Sequence, residues 1–457
     1  MGIKLDWEID ARQGNTLRVG EDPDSKRQRR VTQFRFLLVL AIFVLAGAAI
    51  IGIVLLRLRE VDGAIQRQLH TTVGAEVTAL RLGDLTAFLD VQWRAEDTSL
   101  TEVWIAEQTR SFDAYQALKQ DASRSVNLTG RIIDTTIESQ NGRVHVEEIV
   151  DGIPYGRVWF YWRFDEGWRH VPPAYGFWGQ PHVAQGERFR VSYQDVDAPI
   201  AAAIAAELPR WIELTCGVFD CAPMPEWTVE IVPDDRLVAG WAADGSWRLR
   251  LPSPYIERAR LDQPFDPSLK VTLATLWVDR WLSSYQASAP SDAAYLRDSI
   301  GSYLIEQLAG IDTGAHLLTS LADNYSVDVL RRIMLLLSPQ TTIAAVGQAA
   351  NQPLLGELNA DWRDFLAYRL RAEAALIGQR AETAFYALYD TTDSGVMATA
   401  QSRFASGPSN TLVEVESALP EQSADGTVTL RATVIHSGGA AETVLFRLVE
   451  GVWKRAS

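Results

Sequence analysis

The chain has 457 residues, 47% hydrophobic and 22% charged, a globular composition rather than a disordered or collagenous one. Forty-three basic against 58 acidic residues give a formal charge of −15, which excludes a nucleic-acid partner bound through a basic face. Two cysteines are too few for a disulfide framework or a cysteine-rich zinc module.

Residues 1–35 form a polar tail that ends in a basic cluster, Lys26, Arg27, Arg29, Arg30 and Arg35. Residues 36–56 read FLLVLAIFVLAGAAIIGIVLL, with no charged or polar side chain. As a helix they span about 31 Å, which matches the hydrocarbon core of a bilayer. They predict a single transmembrane helix, with the lipid bilayer as its partner. The apolar run is longer than that of a cleaved signal peptide and starts later. More Lys and Arg precede it than follow it, where Arg57 and Arg59 stand. The positive-inside rule then places the tail in the cytoplasm and about 400 residues outside the plasma membrane. The tail has room for a docking peptide such as KLDWEIDA, but not for a folded effector.

Residues 62–125 carry apolar side chains at helical spacing, with a break at Gly83-Asp84 and a third helix over 99–120. The period then changes to two. VNLTGRIIDTTIESQ, GRVHVEEIV and YGRVWFYWRF predict strands with turns at Asn141-Gly142 and Asp151-Gly152. Further on, FRVSYQ, WTVEIVP and SWRLRLP read as strands and Pro199–Leu214 as a helix, and the chain is mostly helical from 268 to 376. Cys216 and Cys221 flank a short loop. In an oxidising compartment they form a disulfide, and otherwise they are free thiols. The last stretch reads helix over 381–404, then three strands, TLVEVESAL, GTVTLRATVIH and AETVLFRLVEGVWKRA. WRFDEGWRH (162–170) and FRLVEGVWKR (446–455) each close a unit of helices followed by an antiparallel meander. Two copies of one fold flanking a different domain is the reading this suggests.

The helices-then-sheet order, with GDLTAFLDV leading to GRVWFYWRFDEGWRHV, resembles the nuclear transport factor-like cone fold shared by ketosteroid isomerases and SnoaL-like proteins. The segment ending VLFRLVEGVWKRA looks similar. The resemblance implies two α+β cone modules with curved antiparallel sheets, over 60–182 and 371–457, each with a conical pocket. Residues 185–370 resemble gluzincin metallopeptidases of the peptidase MA-like type, a mixed strand-then-helical domain. Leu273-Ala274-Thr275-Leu276-Trp277-Val278-Asp279 has the apolar frame of that family's L-A-H-E-x-x-H helix. Residues 295–303, YLRDSIGSY, have the frame of the helix that supplies the third ligand. Thr275 and Asp279 stand at the two histidine positions, Leu276 at the general base and Asp298 at the third ligand. Catalytic zinc needs three strong ligands and a base beside its water, and Leu276 cannot accept a proton. The resemblance therefore implies a pseudo-peptidase that holds no metal and no other cofactor.

The six histidines, His70, His145, His170, His182, His316 and His436, include no pair at helical i, i+4 spacing. His170 and His182 flank a proline-rich loop. Acid chemistry in the first cone would draw on Asp90, Glu147, Glu148 or Asp151, with Tyr161 as a donor. In the run Trp159, Phe160, Tyr161, Trp162, alternate side chains face opposite sides of a strand. The fold class expected is α+β behind an N-terminal membrane helix. The function expected is non-catalytic binding or scaffolding outside the cell, with a protein or peptide partner. The alternatives are an enzyme, either a cone-fold hydrolase or isomerase marked by a buried carboxylate in the first cone's pocket or an atypical peptidase, and a transmembrane signalling component.

Overall fold

The computed structural model describes residues 23–95, 98–221, 225–352, 354–407, 412–422, 427–436 and 441–457. The tail up to residue 22, with its KLDWEIDA segment, lies outside the described residues. The chain is mixed α/β, and its first helix, α1 (Pro23–Leu82), is by far the longest. At 1.5 Å per residue, α1 is about 90 Å long. It is the one helix among the described residues that is long and apolar enough to cross a membrane. Its apolar stretch is exposed along both sides and packs against nothing else in the molecule. Beyond it the same helix turns amphipathic, burying Leu69, Val73, Glu76, Val77 and Leu80. It ends at Gly83, and Asp84 caps α2 (Leu85–Asp90) by accepting the Ala87 N–H at 3.0 Å. Then comes α3 (Thr98–Gln120).

Four strands follow as an antiparallel meander: β1 (Val126–Glu138), β2 (Asn141–Val150), β3 (Ile153–Phe164) and β4 (Gly167–Val171). The β2–β3 turn is Asp151-Gly152, both at positive φ, as the sequence predicts. The β1–β2 turn is not at Asn141-Gly142. Ser139 takes the positive φ, so Ser139-Gln140 makes the turn and Asn141 pairs with Glu138. Gly142 instead serves packing. A Cβ there would lie 3.0 Å from both Leu69 and Trp168, where α1 crosses the sheet.

A second, mixed sheet contains β5 (Pro181–Gln185), β6 (Phe189–Gln194), β7 (Trp227–Val232), β8 (Gly240–Trp241) and β9 (Arg248–Pro252), in the order β5-β6-β7-β9-β8. Between β6 and β7 lies α4 (Ala198–Phe219). The short β10 (Ala259–Arg260) pairs with β3 and so adds a strand to the first sheet. Strand β5 occupies the position where the sequence puts a boundary at 182–185. Val158 and Phe160 of β3 also share one core with Val191, Val229 and Leu251.

Seven helices follow β10: α5 (Pro267–Leu282), α6 (Asp292–Ala309), α7 (His316–Tyr325), α8 (Asp328–Leu336), α9 (Ala344–Ala349), α10 (Arg363–Gly378) and α11 (Glu382–Tyr386). The eighth is α12 (Ser394–Ser406). The single helix expected over 381–404 is therefore two, because Asp393 starts a new one by accepting the Gly395 and Val396 N–H groups. The chain ends in a four-stranded antiparallel meander, β11 (Leu412–Gln422), β12 (Val428–His436), β13 (Ala441–Val449) and β14 (Val452–Arg455). Helix α10 spans the expected boundary at 370 and packs on β11.

Candidate functional site

The alternation of β2 and β3 sends one set of side chains toward α1 and the other toward the second sheet. Val144, Val146 and Glu148 of β2 lie on the same side as Arg157, Trp159 and Tyr161 of β3. Opposite them, α1 presents Glu76 and Leu80, α2 presents Phe88, and α3 presents Trp104, Gln108, Ser111 and Tyr115. A cavity of about 620 Å³ lies between these walls. Its other end is closed by the second sheet and the start of α5, through residues such as Leu237, Leu251, Ile256 and Leu269. This volume is within the range of small-molecule sites.

The most buried polar group in the wall is Glu76, 1% exposed. Its Oε2 accepts the Tyr161 hydroxyl at 2.8 Å. Its Oε1 accepts Gln92 Nε2 at 3.2 Å and stands 2.6 Å from His170 Nδ1. In a neutral imidazole the shared carboxylate places the proton on Nδ1 and leaves Nε2 as the acceptor. Nε2 has no hydrogen-bond partner among the described residues. The imidazole is held between rings: Tyr161 stacks at 5.1 Å, and Trp104 and Trp159 lie at 5.6 Å. Burial and the Glu76 carboxylate push the Tyr161 hydroxyl well above its ordinary range, so it remains a donor. Burial also raises Glu148, against the opposing pull of Arg258 and Arg157.

The structure brings only some of the sequence candidates to this cavity. Glu148 and His170 are there, while Tyr161 is fully buried behind them with its hydroxyl on Glu76. Glu147 faces the other side, paired with Arg131 and Thr129. Asp90 is exposed, and Asp151 accepts the Ser125 N–H at a turn. His182 is not near His170 but forms an exposed 2.6 Å pair with Asp195. Of the four aromatics, Trp159 and Phe160 border the cavity, Phe160 also packing on Trp178, Tyr161 is buried beside Glu76, and Trp162 is partly exposed beside Trp93. Glu76, Gln92, Trp104 and Arg157 are the additions from structure. Glu76 had a readable signal, as a lone carboxylate inside the apolar stripe Leu69, Val73, Val77, Leu80.

The C-terminal unit repeats this arrangement with different chemistry. Glu373 of α10 accepts Tyr389 Oη at 3.0 Å and Arg455 Nη1 at 2.8 Å. Glu76 and Gln92 are 16 residues apart, as are Glu373 and Tyr389. Gln92 makes an isolated parallel bridge to His170, and Tyr389 makes the same bridge to Arg455. His170 lies opposite Tyr161, and Arg455 lies opposite Phe446. Trp168 and Trp453 therefore correspond. The two Glu-Gly dipeptides are offset by one residue, because the turns are Asp165-Glu166 and Glu450-Gly451.

In the middle of the chain, α5 packs against α6, but the positions singled out by sequence are not a polar centre. Thr275 and Leu276 are half-buried, and Asp279 is exposed. Asp298 is exposed and paired with Arg297 at 3.0 Å. The Leu276 carbonyl accepts Trp241 Nε1 at 2.9 Å. Trp227 stacks on Trp277 at 3.8 Å, and Arg280 lies over both Trp241 and Trp247. Among the described residues no group of three or more His, Cys, Asp or Glu could hold a metal ion. Cys216 and Cys221 are joined as a disulfide at the end of α4.

No family model, no curated protein and no solved structure matches this chain.

Proposed function

We propose that the chain is a membrane-anchored, extracytoplasmic binding protein whose ligand sits in the cavity between α1–α3 and the first sheet. In this reading the N- and C-terminal units are two cone-fold modules around a degenerate gluzincin-like domain. The carrying observation is the cavity itself, walled on one side by Leu80, Phe88, Trp104, Val146 and Trp159 and carrying charged and polar residues such as Glu148, Arg157 and Arg258. The duplicated carboxylate supports binding over catalysis. Glu373 makes the same tie from helix to last strand in a dry, salt-bridged setting, so the tie is first of all a device of the fold. The aromatic packing around α5 supports a middle domain that serves as a wall rather than a peptidase. Location outside the membrane is supported by the basic residues before position 36 and by the disulfide.

The test uses the full chain in nanodiscs and 2-naphthamide, a neutral aromatic probe. Binding is read by quenching of tryptophan fluorescence, with empty discs as the blank. Saturable binding that disappears in Ser111→Trp, which fills the cavity, is the expected result. No binding, or binding unchanged by Ser111→Trp, would remove the proposal.

One observation favours a second reading, an enzyme. His170 borders the cavity, its Nδ1 is held by a buried carboxylate and its Nε2 has no partner among the described residues, the arrangement of a general base. Base-catalysed ring opening of nitrobenzisoxazole reports such a base. A rate that falls about 10²-fold or more in His170→Gln would favour catalysis, the range expected for losing a general base. Equal rates in wild type and variant would leave binding as the function.

A further inference from the structure

We propose that the cavity selects an amphipathic organic monoanion, with its carboxylate or sulfonate on the Arg157 guanidinium and its apolar body against Phe88, Trp104 and Trp159. The proposal rests on the cavity being a binding site. Arg157 shares the cavity-facing side of β3 with Trp159 and Tyr161. It keeps access to water through the cavity while protein surrounds it. Yet it makes no hydrogen bond and no ion pair among the described residues. The carboxylates near enough to act on it are Glu148, Glu76 and Glu257. Glu76 is already engaged by Tyr161, Gln92 and His170. Glu148 is drawn by burial toward its neutral form. A guanidinium in such a place lacks the acceptor that its planar fork fits, and a carboxylate or sulfonate supplies it.

The C-terminal unit shows what the fold does when this position is satisfied internally. Four residues before Tyr161 stands Arg157, and four before the corresponding Phe446 stands Glu442. Glu442 is contacted by Arg403 at 3.1 Å, His436 at 2.8 Å and Arg455 at 3.4 Å. One copy neutralises the charge on this strand with its own side chains, and the other holds it open to a cavity. A second cation stands nearby, since Arg258 also lines the cavity and lies 5.2 Å over the Tyr155 ring. The exposed carboxylates Glu107, Asp235 and Glu257 lie along the same cavity. They oppose polyanions such as nucleotides and restrict the preference to a single negative charge.

The experiment titrates the nanodisc-held full chain with 2-naphthoate and with 2-naphthamide, which differ in charge but hardly in shape. The wild type should bind the naphthoate about 10- to 100-fold more tightly, the worth of a charge-assisted hydrogen bond. Arg157→Gln should bring the ratio of naphthoate to naphthamide affinity to about one, and Arg157→Lys should keep part of the preference. Equal binding of the two probes by the wild type would overturn the proposal, as would a preference that survives Arg157→Gln. In both cases the cavity would still stand as a binding site. Failure of both probes to bind would overturn the cavity reading together with this proposal.

Discussion

Glu76 and Glu373 stand at matching positions of two helix-then-meander arrangements, and their partners decide what each does. Arg455 is 1% exposed, and removing Glu373 takes away its nearer carboxylate, leaving Glu442 at 3.4 Å and the Ser457 carbonyl. Glu373→Ala should therefore destabilise the full chain by about 3–5 kcal/mol. Glu76→Ala strands Tyr161, Gln92 and an imidazole that borders a cavity, which water can reach, so about 1–3 kcal/mol is expected. Urea unfolding of both variants checks the order, and a larger loss for Glu76→Ala would contradict a wet N-terminal site. A third buried carboxylate, Asp197, accepts Trp178 Nε1 at 2.8 Å and the Ser253 hydroxyl, and burial pushes it up to about 6. A raised carboxyl stabilises the fold below its unfolded range and loses that contribution as pH rises through about 6. Wild type should thus gain on Asp197→Asn by about 2 kcal/mol as pH falls from about 7 to 4. Parallel unfolding curves of wild type and variant across that range would show that Asp197 stays charged.

Helix α1 joins two environments without a break, and its sequence says so by a change of pattern. The apolar run is all-round up to Leu56, then narrows to the stripe that carries Glu76. Such changes of period are why the helices and the strands of both meanders are legible from sequence. Turns are less so, because glycine serves two purposes. Asn141-Gly142 has the composition of a hairpin turn, but its glycine lets Leu69 and Trp168 approach β2. Gly142→Val should push α1 away from the first sheet and destabilise the chain by about 1–3 kcal/mol, the usual penalty of overpacking. Gly152→Ala, at a positive-φ turn with open space around it, should act only through backbone strain and leave the cavity intact. Naphthamide binding separates the two variants, since only the first should weaken it.

At the scale of the whole molecule, the cavity was the least legible feature. It joins residues of α1 and α3 to strands some 80 residues away and to the second sheet beyond, and no short motif marks that convergence. Arg157 looks in the sequence like any outward charge on an alternating strand. The same geometry sets the distance of the cavity from the candidate membrane-spanning stretch of α1. Trp168 donates to the Ile65 carbonyl at 3.3 Å, so the folded part meets α1 nine residues after Leu56, about 14 Å along the helix. Glu76 stands about 30 Å along the helix from Leu56, on a rod with no loop between them. If the basic cluster before Phe36 is cytoplasmic, everything from Ile65 onward faces the outside. The segment between Leu56 and Ile65 is helical but exposed and carries Arg57 and Arg59. Trypsin added to intact cells or spheroplasts should therefore release the folded part from the membrane. Non-reducing peptide mass spectrometry of the released material should show Cys216 linked to Cys221. An ectodomain protected from trypsin until lysis, with both thiols open to alkylation, would place the cavity on the cytoplasmic side.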